Sequence, residues 1–82
     1  MIKCRLSRLL GDRKMHLLEL QRQTGIAYST LHRLYHEKST RIDLAVIDIL
    51  CKALGVKVGD LFEYVEETRP IKDYKLGSHQ NK

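Results

Sequence analysis

The stretch "TGIAYSTLHRLYH", Thr24 to His36, decides how the rest of the chain is read. Gly25 is placed as the left-handed residue that ends one helix and lets the chain turn sharply, a conformation that residues with a Cβ adopt only at a cost. Ile26 follows as an apolar plug. From Tyr28 to about Glu37 the pattern resumes at helical spacing, with Leu31 and Leu34 on one side. At about 100° per residue, positions 28, 29, 32, 33 and 36 fall in an arc of roughly 140°, and both leucines lie outside it. One side of this helix is apolar, and the other offers Tyr28, Ser29, His32, Arg33 and His36. Either that polar side is an ordinary solvated face, with Tyr28 or His32 covering apolar neighbours, or something outside the chain uses it.

Working outward, Leu17 to Gln23 reads as a short helix before the turn, and Leu6 to about Lys14 as an amphipathic one with apolar residues at 6, 9 and 10. After the polar connection "HEKSTR", Asp43 can cap a fourth helix through about Leu54, with Leu44, Ile47, Leu50, Cys51 and Leu54 at helical spacing. Gly55 stops it. The segment "VKVGDLFEY" adds a turn or two of helix that would place Val58, Leu61 and Phe62 over the core. The start, "MIKCRL", alternates apolar and basic residues and could lie as a short strand against "FEYVEE". The expected fold is all-α: a compact bundle of about five short helices, with at most a minor two-strand pairing of the termini. Beyond Val65 the chain is too polar to repay its ordering entropy. Residues 1–65 therefore read as one domain and residues 66–82 as a tail that is flexible or ordered by a partner, with Ile71, Tyr74 and Leu76 as the available anchors.

Composition bounds the rest. A chain of 82 residues has room for one core, and 43% apolar residues are too many for disorder. No apolar run approaches the roughly 20 residues that span a bilayer. The N-terminal "MIKCRLSRLL" is interrupted by Lys3, Arg5 and Arg8, unlike a secretion signal, so a cytoplasmic protein is expected. Cys4 and Cys51 then read as small buried apolar groups rather than a disulfide, and no CxxC or comparable ligand cluster points to zinc. His32 and His36 are four apart, but two ligands without a third make a weak metal site. There is no Gly-rich phosphate loop and no Ser-His-Asp or Cys-His set that spacing brings together, so neither an enzyme nor a cofactor is expected. Charge is lopsided: residues 1–41 carry 9 Lys+Arg against 3 Asp+Glu, and residues 42–82 carry 6 against 7. A basic half favours polyanions, nucleic acid above all, because binding releases counterions condensed on phosphates.

The pattern of Met15, Leu20, "TGI" at the turn, "STLHRL" in the third helix and "ALGV" closing the fourth resembles the Cro and phage-repressor type helix-turn-helix family, over roughly the first 62 to 65 residues. The resemblance implies a bundle of about five helices whose third helix enters the major groove of double-stranded DNA. It implies base contacts from Tyr28, Ser29, His32 and Arg33, with Arg33 suited to bidentate donation to guanine. It implies phosphate contacts from His36, Lys38, Ser39, Thr40 and Arg41. Some family positions are filled differently. The family's hydroxyl cap and Gln, which grip a phosphate at the start of the second helix, are His16 and Leu17 here. Leu17 thus takes the phosphate-contacting position with a side chain that cannot donate to phosphate. Gln21 stands where a small residue is usual, and Ala27 where a hydroxyl cap is usual. Leu10 and Tyr35 occupy positions that often hold a buried Arg–Glu pair, and read as core.

The function implied is a sequence-specific DNA-binding transcriptional regulator, acting as a homodimer because a single small module buries little surface on DNA. The alternative is an antitoxin-like protein-interaction module on the same fold, using the tail and an exposed apolar spot at Leu17 and Leu18. Duplex RNA suits the third helix less well, since its deep major groove is closed to side chains.

Overall fold

A computed structural model describes residues 1–73; Tyr74 and Leu76, named above as anchors, lie outside the described residues. The order of elements is β1 (Ile2–Cys4), α1 (Leu6–Asp12), α2 (Leu17–Thr24), α3 (Tyr28–Tyr35), α4 (Leu44–Leu54), α5 (Val58–Leu61), β2 (Phe62–Tyr64) and a 3-10 turn (Ile71–Asp73). β1 and β2 pair antiparallel with Ile2 opposite Tyr64, Lys3 opposite Glu63 and Cys4 opposite Phe62, so the strand reading of "MIKCRL" holds. Among the described residues no helix is long and apolar enough to cross a membrane.

The core is a single cluster of Leu6 and Leu10 from α1, Leu20 from α2, Ile26 from the turn, Leu31 and Leu34 from α3, Leu50 and Leu54 from α4, and Leu61 from α5. Each helix sends inward the apolar residues that its 3.6-residue period aligns. Leu10 is buried and Tyr35 packs half-buried against the same cluster, as the sequence indicates. Cys4 and Cys51 are free thiols, both half-buried against this core.

Helix ends follow two chemistries. Gly25 (φ 74°) and Gly55 (φ 67°) take the left-handed conformation after α2 and α4, as their positions in the sequence indicate. α1 and α3 end in the same way without glycine, on Lys14 (φ 52°) and Glu37 (φ 56°). After α1, Lys14 N–H donates to the Gly11 carbonyl and Met15 N–H to that of Leu10; after α3, Glu37 N–H donates to Leu34 and Lys38 N–H to Arg33. Each pair is a Schellman motif, which satisfies carbonyls that the ending helix would leave open. For this reason α1 stops at Asp12 and α3 at Tyr35, each two residues short of the length that periodicity suggests.

Two expected core positions are corrected. Leu44 is 81% exposed, because it opens α4 and lies about 120° round the helix axis from Leu50. Val58 is 55% exposed, because α5 is only four residues long and reaches the core through Leu61 at its far end. Asp43 sits at the N-cap of α4 but makes no side-chain capping bond.

Leu50→Ala, at a fully buried position, is expected to lower stability by about 2–5 kcal/mol, read as a fall in the urea midpoint at constant slope. Gly25→Ala is expected to cost about 1–2 kcal/mol through backbone strain alone, since a Cβ there meets no atom within 4 Å.

Candidate nucleic-acid interface

α3 is held from beneath. Leu31 and Leu34 are buried at 0% and 2% exposure, and α2 packs beside it across the short turn. Ala27 occupies the N-cap without a side-chain bond, and the nearby hydroxyl of Thr24 works on the turn instead. Its Oγ1 accepts from Ile26 N–H at 3.2 Å and donates to the Leu20 carbonyl at 2.8 Å, which fixes the path from α2 into α3.

With its leucines buried, α3 turns its other side outward. Tyr28, Ser29, His32 and Arg33 are all exposed, so the four expected base-reading positions share one accessible face. Three rings run along it: Tyr28 and His32 have centroids 6.0 Å apart, and His32 and His36 4.3 Å apart. Tyr35 meets His36 edge-on at 5.0 Å. A tyrosine and two histidines spaced four apart thus line one edge of the helix, with Ser29 and Arg33 beside them.

The segment after α3 continues this surface. Lys38, Thr40 and Arg41 are exposed with His36, and Ser39 is half-buried. Glu37, the one acid among them, turns its carboxylate to accept the backbone N–H of Cys4 at 3.2 Å, tying this segment to β1. At the start of α2 the Glu19 carboxylate accepts the His16 N–H at 3.1 Å. Leu17 is half-buried against the core, and Leu18 is 48% exposed, so the apolar spot expected of both is carried by Leu18.

Two basic side chains counted in the charged half have internal partners that the sequence conceals. Arg5 forms an ion pair with Glu63, whose hydrogen bond and charge raise the guanidinium pKa further. Arg13 donates to the Leu9 carbonyl at 3.2 Å and to the Leu54 carbonyl at 2.8 Å, covering the C-terminal end of α4. No local signal reveals the second bond, since its acceptor lies 41 residues away. Among the described residues no group of three or more His, Cys, Asp or Glu could hold a metal ion.

With this geometry in view, the family match is direct: the Cro/C1-type HTH DNA-binding domain matches residues 5–67. The chain belongs to that family. A relative, the uncharacterized HTH-type transcriptional regulator YozG of Bacillus subtilis (strain 168), is 38% identical over 72 residues, which cover 85% of this chain and 86% of that protein. No solved structure matches significantly. The matched segment takes in all five helices together with β2.

Glu37 makes the environment of Cys4 relevant to this surface. Burial of the thiol, more than any nearby charge, raises its pKa above the ordinary value of about 9.0. A raised value means that the fold favours the neutral thiol: that preference is complete below the unfolded value and is lost as pH rises through the folded one. The urea midpoint of the native chain is therefore expected to fall more steeply above about pH 9 than that of Cys4→Val. Parallel pH profiles for the two proteins would contradict this.

Proposed function

We propose that this chain is a sequence-specific, double-stranded DNA-binding transcriptional regulator that acts in the cytoplasm as a homodimer, with α3 in the major groove. The observation that carries the reading is the outward polar side of α3 over buried Leu31 and Leu34, in a domain of the Cro/C1 type. The name of the YozG relative, a transcriptional regulator, supports the same reading. In this reading Arg33 donates to a guanine edge, Ser29 and His32 donate to or accept from neighbouring bases, and Tyr28 meets a thymine methyl, a sugar or a phosphate. His36, Lys38, Ser39, Thr40 and Arg41 position the domain on the backbone. Leu17 takes the family's phosphate-contacting position at the start of α2, where the helix dipole favours a phosphate.

A second reading, a protein-interaction module of antitoxin type, is favoured by the exposure of Ile71 (89%) and Leu18 (48%). Such a module would lose its partner on deletion of residues 66–82 and would show no salt-sensitive binding to duplex DNA.

Selection of bound fragments from random duplex DNA tests the proposal, the expected outcome being a shared short sequence. On that site, Arg33→Ala should cost about 1–3 kcal/mol and relax preference at one base pair. Lys38→Ala should weaken all sequences alike and lower the slope of log affinity against log salt by about 1. Absence of any enriched sequence, with binding insensitive to salt, would remove the DNA reading.

A further inference from the structure

We propose that His32 and His36 form a two-point clamp for a divalent transition-metal ion, and that an ion held there and duplex DNA exclude one another; the exclusion rests on the DNA reading above, while the clamp does not. Residues four apart on a helix are surface neighbours, one turn above the other. Whether two imidazoles so placed can share an ion is a question of distance. An imidazole nitrogen bonds a first-row divalent ion at about 2.0–2.1 Å and lies about 1.2 Å from its own ring centre, so each ring centre stands about 3.2 Å from the metal. Two rings at right angles round one ion then have centres about 4.5 Å apart, and two rings at a tetrahedral angle about 5.2 Å. His32 and His36 have centroids 4.3 Å apart, with ring planes tilted at 50°. The separation falls about 0.2 Å from the right-angled value and about 0.9 Å from the tetrahedral one. It therefore suits copper(II) or nickel(II), which take square or tetragonal nitrogen sites, better than zinc.

The surroundings leave the clamp open to an ion. Both imidazoles are exposed, and a histidine ring turns through broad wells about its last torsion, so the nitrogens can converge without any movement of α3. His36 is braced by Tyr35, which meets it edge-on at 5.0 Å and packs against the core. Among the described residues no third His, Cys, Asp or Glu completes a metal site with the pair, so water fills the remaining positions. Structural metal sites close all positions with protein ligands; this one binds reversibly and follows the metal concentration. His32 is also one of the four proposed base-reading positions. A nitrogen bonded to a metal has neither a lone pair nor a proton left for a base edge, and the ion with its waters stands between α3 and the groove. Occupancy therefore opposes duplex binding.

Nickel(II) added to the full chain, followed by calorimetry, by the urea midpoint and by duplex affinity, tests this. The native chain should bind one ion, and His32→Ala and His36→Ala should each weaken that binding at least tenfold. Both positions are exposed, so helical circular dichroism should be unchanged in the variants. Nickel should raise the urea midpoint of the native chain and of neither variant, because the two imidazoles are neighbours only while α3 is folded. His16→Ala together with His79→Ala, which removes the other histidines, should bind nickel as the native chain does. Nickel should weaken duplex binding by the native chain at least tenfold and leave that of His36→Ala unchanged. Nickel binding that is absent, or that survives both clamp variants, would overturn the site. A filled clamp with undiminished duplex affinity would overturn the exclusion. A metal-free chain that binds no duplex would remove the DNA reading and leave the clamp standing.

Discussion

Every element of this domain depends on the burial of one leucine-rich cluster. The helices run from four to eleven residues, and isolated helices shorter than about 12–15 residues are marginal in water. None of them is stable by its own backbone bonds, so each exists because its inward leucines share the cluster. The orientation of the candidate interface is a by-product of that burial. Leu31 and Leu34 pin α3 on one side, and a helix pinned on one side presents its remaining residues in a fixed direction. The outward side of α3 therefore inherits its rigidity from the core rather than from interactions among the polar residues themselves.

The chain accepts local strain to place that surface. Left-handed backbone at Lys14 and Glu37 costs about 1–2 kcal/mol each in a residue with a Cβ. In both places the Schellman bonds offset the strain by closing carbonyls at a helix end. At Glu37 the gain extends further, because the same residue's carboxylate reaches β1 through the Cys4 N–H. The segment that follows α3 is thereby tied to β1 at its second residue.

Charge is divided between internal pairs and the exposed surface. Arg5 and Arg13 come from the basic half of the sequence, yet one pairs with Glu63 and the other closes the end of α4. Their guanidinium groups join distant parts of the fold, so they count less toward a polyanion than composition suggests. Arg33 on α3 and Lys38 just after it are exposed. A basic total is thus a coarse guide; which cations face outward is a tertiary fact.

Periodicity and turn chemistry were enough to determine much of this protein. The glycines at 25 and 55, the leucine spacing of the helices and the alternation in "MIKCRL" carried the element order, most of the core and the strand pairing. They also carried the outward side of α3, since a 3.6-residue period separates Tyr28, Ser29, His32 and Arg33 from Leu31 and Leu34 without reference to any other element. Tertiary structure alone decided the rest. Leu44 and Val58 fit the apolar pattern but project from helix starts that the bundle does not cover. The left-handed ends at Lys14 and Glu37 lack the glycine that marks such a turn, and the partners of Arg13 and Glu37 lie 41 and 33 residues away. Local sequence encodes which side of an element is apolar because that depends on spacing along one chain segment; where an apolar side stops being covered, and which distant backbone group a charge meets, depends on how segments pack against one another.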